Sequence, residues 1–189
     1  MQSIEQRLAH IRNEIRTAAL ACGRNPETIE LVAVSKRKSS HTVAAAIKAG
    51  VTLLGENYIQ EAVDKIDTIG NSPATWHFIG HLQTNKARFA VKYFDLIHTV
   101  DSLKLAREIN KQAGKINKRQ AILLQVNIAD EASKSGTTAS QALALARDIA
   151  GLEHIHLAGL MGMPPFFDDP EGARPYFKAL AALLDTIRA

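Results

Sequence analysis

From residue 31 onward the chain alternates short apolar runs with helical patterns, and that alternation leaves few folds open. The apolar runs are 31–36, 52–57, 76–81, 96–100, 121–128 and 155–161. Helical periodicity fills 41–49, 58–68, 84–93, 102–113, 138–150 and 171–188, with apolar residues returning every three or four positions. One more amphipathic segment, 3–22, comes first. Ile4, Leu8, Ile11, Ile15 and Ala19 recur at helical spacing, Ser3 offers an N-cap and Gly23 a stop. Six strand–helix units with nearly continuous apolar strands predict a parallel sheet covered by helices. A doubly wound open sheet and a (β/α)8 barrel both satisfy that pattern. The glycine-rich turn that marks nucleotide-binding open sheets is absent after the first strand. Polar residues instead recur at strand ends, at Lys36, Asn57, His81 and Asn127, and convergence of several strand ends on one centre favours the barrel. No linker rich in proline, glycine or serine interrupts the chain, so residues 1–189 read as a single domain.

Lys36 closes the first apolar run, Leu31-Val32-Ala33-Val34-Ser35-Lys36. That places an amine at the carboxyl end of the sheet, where α/β folds hold their ligands. Held partly dry and beside Arg37 and Lys38, such an amine is expected to have a lowered pKa. A neutral amine is what imine formation with an aldehyde requires. The alternative is an ordinary strand-end lysine pointing at water. Composition narrows the remaining classes. No apolar run approaches the roughly 20 residues of a membrane span, and charges at Glu5, Arg7, Arg12 and Glu14 break any secretory-leader pattern. The single cysteine, Cys22, forbids an internal disulfide and suits a reducing cytoplasm. The net charge of +4 is scattered among acids and aromatics make up only 5% of residues, which argues against a nucleic-acid platform. His77, His81 and His98 lack the spacing and supporting carboxylate of a metal site. On a strand spanning 76–81, His77 and His81 share a face, with His81 at the ligand end. Glu56 has the opposite strand parity to Asn57, so it is expected to face helices or to form an ion pair.

Several stretches together carry a family resemblance. They are the Leu31–Lys36 run, Gly55-Glu56-Asn57-Tyr58-Ile59-Gln60-Glu61, Trp76-His77-Phe78-Ile79-Gly80 and Leu82-Gln83-Thr84-Asn85-Lys86. Val126-Asn127-Ile128, Ser133-Lys134-Ser135-Gly136 and Gly159-Leu160-Met161 complete the set. In this order the chain resembles the pyridoxal phosphate homeostasis proteins, a family built on a (β/α)8 TIM barrel of the alanine racemase N-terminal type, preceded by a helix. The resemblance implies that pyridoxal 5'-phosphate is the cofactor and that Lys36 forms a Schiff base with it. It implies that Asn57 hydrogen-bonds the phenolic oxygen or positions the imine. By their strand-end positions His81, Asn127 and Met161 are candidates to line the cofactor's surroundings, with His81 standing where several relatives are expected to carry proline. Lys134 and the amides of its loop are further candidates for approaching an anion.

The family continues past this point with two more strand–helix units that build its phosphate cradle. The chain is therefore expected to be a truncated or incomplete form with six units. The expected partners are pyridoxal phosphate and apo-enzymes that use it, with no nucleic acid, no membrane and no metal. A complete barrel is expected to be monomeric, and a six-unit form to self-associate through its open edges. The implied function is non-catalytic cofactor binding in vitamin B6 homeostasis. A racemase-like enzyme and a Schiff-base aldolase are the competing readings. The first would need a base opposite Lys36, and the second an acid–base network where the strand ends offer amides.

Overall fold

The computed structural model describes residues 2–131 and 134–189. Its residue contacts divide the chain into two compact units, Met1–His77 and Phe78–Ala189.

The first unit opens with α1 (Ile4–Ala21), started by a reciprocal capping box in which Ser3 and Gln6 satisfy each other's backbone N–H groups. Gly23, at φ +72°, then reverses the chain in a conformation that favours glycine. Strand β1 (Ala33–Val34) is followed by α2 (Ser40–Lys48), β2 (Leu53–Glu56), α3 (Ile59–Ile69) and β3 (Thr75–Phe78). Strands β1 and β2 pair in parallel, with Ala33 against Leu54 and Val34 against Gly55. Thr75 N–H donates to the Thr52 carbonyl at 2.8 Å and brings β3 alongside β2. Arg12 Nη2 donates to the Gly50 carbonyl at 2.7 Å and ties α1 to the turn after α2. Leu8, Val43, Leu54, Ala62 and Trp76 are buried in this unit.

The second unit contains α4 (Ala87–Tyr93), β4 (Leu96–Val100), α5 (Leu103–Lys115), β5 (Gln120–Val126), α6 (Ala139–Ala150), β6 (Ile155–Gly162) and α7 (Arg174–Arg188). Here β5 runs parallel to both β4 and β6. Ile122, Leu124 and Val126 are buried on one face of it, while Ala121 and Leu123 on the other are half-buried. The buried side of α5 is a stripe of Leu105, Ala106, Ile109 and Ala113, and that of α6 is Ala142, Ala146 and Ile149. Lys118 Nζ donates to the Val91 and Phe94 carbonyls at 2.8 and 2.7 Å, satisfying the open end of α4. Phe78 and Phe94, each 1% exposed, meet edge to face with ring centroids 5.2 Å apart.

Within each unit the strands follow chain order, and every strand pairing described is parallel. Among the described residues, no helix is long and apolar enough to cross a membrane. The third apolar run ends earlier than its sequence suggests. Strand β3 stops at Phe78, and Ile79, Gly80 and His81 continue as irregular chain. Thr99 Oγ1 takes up the Gly80 carbonyl at 2.5 Å, so a side chain replaces the next ladder bond.

The Phe78–Phe94 pair supplies the test of this core. Phe94→Ala should destabilise the protein by about 3–5 kcal/mol, because it deletes a fully buried ring and its aromatic partner contact. Urea denaturation followed by circular dichroism measures this, and a loss below about 1 kcal/mol would contradict the packing described.

Candidate functional site

Lys36 leaves the sheet directly after β1. Val34 and Gly55 are paired, so Lys36 and Asn57, each two residues further on, emerge at the same carboxyl edge of β1 and β2. Ser35 and Glu56, one residue earlier, bond to each other through Ser35 Oγ and Glu56 Oε1 at 2.6 Å. Ser35 and Glu56 therefore turn toward Lys65 of α3, while Lys36 and Asn57 lie just past the strand ends, Lys36 in a turn and Asn57 in a bend.

The Lys36 side chain is exposed, which corrects the expectation of a partly dry amine. The residue lies in a turn beyond the strand, and its neighbours Arg37 and Lys38 are exposed as well. No hydrogen bond or ion pair of the Lys36 ammonium occurs among the described residues. Asn57 is half-buried, and its Oδ1 is fully enclosed with no hydrogen-bond donor in reach. A buried amide end without a partner is costly. Glu56 Oε2 is likewise enclosed without a donor, so this carboxyl edge of β1 and β2 is a polar face.

Beneath that face lies a cluster that the sequence disclosed only in part. Lys65, on α3, is 3% exposed. Its Nζ donates to the Ser35 carbonyl at 2.7 Å, to Glu56 Oε1 at 2.7 Å and to Glu61 Oε1 at 2.6 Å. Glu56 is completely buried, so the ion pair expected of it is made with Lys65. Glu61 also accepts the backbone N–H of Arg37, a residue held at φ 61°. The hydrogen bond from Lys65 is the main cause that lowers the Glu61 carboxyl below its usual range, with the Arg37 N–H adding to it. The i, i+4 spacing of Glu61 and Lys65 on a helix was the available signal for half of this cluster. The bonds to Ser35 and Glu56 depend on tertiary placement.

The remaining candidates lie in the second unit. His81 is exposed and sits three residues beyond the end of β3, so the argument that it shares a strand face with His77 does not hold. His77 is buried within β3. Met161 is half-buried in β6, in register with Gln125. Asn127 follows β5, and its amide is committed to its own loop. Nδ2 donates to the Glu131 carbonyl at 2.9 Å and the Lys134 carbonyl at 3.5 Å, while Oδ1 accepts from Glu131 N–H at 3.3 Å. Asn127 N–H donates to the Thr137 carbonyl, and Thr137 N–H to the Gln125 carbonyl, each at 2.9 Å. Lys134 Nζ pairs with Glu131 at 2.7 Å and reaches the Pro164 carbonyl at 3.3 Å. Ser133, named with this loop in the sequence reading, lies outside the described residues. Gly136 is required here: at φ +131° a Cβ would stand 2.5 Å from Asn127 N.

The alanine racemase N-terminal domain family matches residues 6–189, across both units. The chain belongs to this family. Its fold class is thus the barrel domain of that family, as the run of strand–helix units implied. A pyridoxal phosphate homeostasis protein of Vibrio alginolyticus is 40% identical over 193 residues, covering 100% of this chain and 83% of the relative. The protein of the same name from Escherichia coli K12 is 44% identical over 167 residues, 87% of this chain and 71% of that one. Among solved structures, PipY of Synechococcus elongatus PCC7942, determined with pyridoxal phosphate bound, superimposes with a TM-score of 0.79 at 30% identity. That match covers 92% of this chain and 80% of PipY.

Two outcomes test this site. Because the folded-state pKa of Glu61 is lowered, its stabilising contribution is present above the unfolded-state value and is lost as pH falls through the folded value. Stability should therefore fall as pH drops below the usual carboxylate range. In Glu61→Gln this drop should be shallower, and an unchanged acid limb would contradict the assignment. Gly136→Ala should cost about 1–3 kcal/mol and raise amide exchange at Asn127 and Thr137. Unaltered exchange at both positions would show that the close approach is not needed.

Proposed function

We propose that this chain binds pyridoxal 5'-phosphate, holding it as a Schiff base on Lys36, and serves vitamin B6 homeostasis without turnover of its own. The observation that carries the proposal is the pairing of an unengaged Lys36 amine with an unsatisfied Asn57 amide at one edge of β1 and β2. The names of the relatives and the cofactor held by PipY support it. The donor set fits the group. A free lysine amine suits an aldehyde, and the exposed Arg37 and Lys38 beside it suit a phosphate dianion.

When bound, the cofactor supplies the aldehyde and the anion. Lys36 would hold the group through its amine, to which the cofactor would supply the aldehyde. The Asn57 amide would hold the cofactor's polar rim. His81, Asn127 and Met161 are proposed as further contributors because each ends or follows a strand at the carboxyl side. Asn127 acts through the loop it organises. Glu56 and Glu61, the carboxylates that bond to Ser35 and Arg37 on either side of Lys36, are engaged by Ser35, Lys65 and the Arg37 backbone. They serve as supports, which favours a carrier over an acid–base catalyst. An imine exchanges readily with another amine, so apo-enzymes with their own lysines are the proposed recipients. The free, exposed Cys22 thiol suits the reducing cytoplasm as their meeting place.

The alanine racemase family match keeps one competing reading in view, a racemase-like enzyme. Visible absorbance on addition of pyridoxal phosphate, lost in Lys36→Ala while the circular dichroism is retained, is the expected result. Equal absorbance in Lys36→Ala would overturn the assignment. Racemisation of alanine by the loaded wild-type protein, abolished in Lys36→Ala, would favour the enzyme.

A further inference from the structure

We infer that Lys65 and Glu61 are positioning residues for Lys36, setting the course of the chain on both sides of the cofactor-bearing lysine. The inference rests on the proposed role of Lys36 and concerns how its amine is aimed.

The peptide segment Ser35-Lys36-Arg37 is held from beneath at two points, one on each side of Lys36. On the amino side, Lys65 Nζ takes the Ser35 carbonyl at 2.7 Å, and Ser35 Oγ is bound to Glu56 Oε1 at 2.6 Å. On the carboxyl side, Glu61 takes the Arg37 N–H. Lys65 connects the two clamps by pairing with both carboxylates. All three ammonium hydrogens of Lys65 are thereby committed. Lys36 itself takes no part in the cluster, so the clamp orients it without competing for its amine.

Two features exceed what packing alone would require. Arg37 adopts φ 61°, a left-handed conformation that a side-chain-bearing residue keeps only when its surroundings over-determine it. Arg37 is exposed, so no burial of its side chain holds that conformation; the turn bond from Lys38 N–H to the Ser35 carbonyl at 3.1 Å and the bond from Arg37 N–H to Glu61 hold it together. An entire ion cluster, 4% exposed at Lys65 and 0% at Glu56 on the side-chain scale, has also been placed under a two-residue strand. Buried charges of this kind are an expensive way to stabilise a fold. They give a single geometry, and the segment given that geometry carries Lys36. An amine whose strand and turn are fixed loses less freedom when it condenses with an aldehyde, so binding is tighter.

The test is reductive trapping of pyridoxal phosphate by borohydride across a concentration series, with the labelled lysine identified by peptide mass. Wild type, Lys65→Met, Glu61→Ala, Glu61→Gln and Val43→Ala are compared at a temperature where all are folded. Val43, buried on α2, supplies a destabilised control outside the clamp. Glu61→Ala and Lys65→Met should each need about tenfold more cofactor for half-labelling of Lys36, the effect of losing about one charged hydrogen bond. Glu61→Gln keeps an acceptor for the Arg37 N–H and should restore labelling to within about threefold of wild type. Val43→Ala should match wild type. Without cofactor, amide exchange at Arg37 should rise in Glu61→Ala and stay protected in Glu61→Gln. Wild-type half-labelling in a folded Glu61→Ala, or a loss in Val43→Ala equal to that in Glu61→Ala, would overturn the inference. If Lys65→Met fails to fold, the Glu61 pair decides alone, since Glu61 is partly exposed. Absence of label on Lys36 in the wild type would instead defeat the assignment of Lys36 itself.

Discussion

The buried contact between Lys65 and Glu56 is the interaction on which the Lys36 edge depends. Neither charge is affordable alone in that position, because a buried ion without partners costs several kcal/mol. Together they are largely satisfied: Lys65 spends three donors on three acceptors and Glu56 Oε1 also receives the Ser35 hydroxyl, while Glu56 Oε2 has no hydrogen-bond partner among the described residues. Joining α3 to the ends of β1 and β2, the contact fixes which way each strand presents its alternate residues. Ser35 and Glu56 turn toward the helix, and Lys36 and Asn57 follow directly past the strand ends. A one-residue slip of β1 would take Ser35 out of reach of both partners.

The two units secure their strand ends by different chemistry. In the first, ionic groups on a helix grip a backbone turn. In the second, Asn127 and Gln125 grip the loop that returns to Thr137, with Gln125 Nε2 on the Ser135 carbonyl at 3.2 Å. Gly136 lets that loop pass against the backbone of Asn127. Both devices leave the covered strands free to be apolar and concentrate polar groups at the carboxyl ends. This is why a fold of this type can vary its chemistry without altering its core.

Much of this was legible in the chain. Strand β4 falls on its predicted residues 96–100, and α1 starts at the Ser3 cap, because apolar periodicity and capping are local signals. Lys36 stood out because an apolar run stops there. Its exposure was misjudged, since burial depends on neighbours that a run of six residues does not reveal. His81 was placed on a strand because Trp76-His77-Phe78-Ile79-Gly80-His81 looks continuous. The ladder ends at Phe78, and Thr99 takes the Gly80 carbonyl from elsewhere in the fold. The partner of Glu56 was hidden because it lies nine residues away on the next helix. The single-residue turn at Arg37 has no sequence mark, for arginine is an unusual occupant of positive φ.

The alanine racemase N-terminal fold accommodates both catalysis and simple carriage of a cofactor, so fold alone does not separate them. In the proposed reading, Glu56 and Glu61 support the chain around Lys36 and the amine is left to take the cofactor. The most direct measurement is a crystal structure of the protein grown with pyridoxal phosphate. Continuous electron density from Lys36 Nζ to the cofactor's aldehyde carbon, with the Asn57 amide in hydrogen-bond reach of the cofactor, is the predicted result. Cofactor density joined to Lys38, or an ordered Lys36 side chain standing clear of the bound cofactor, would contradict the account.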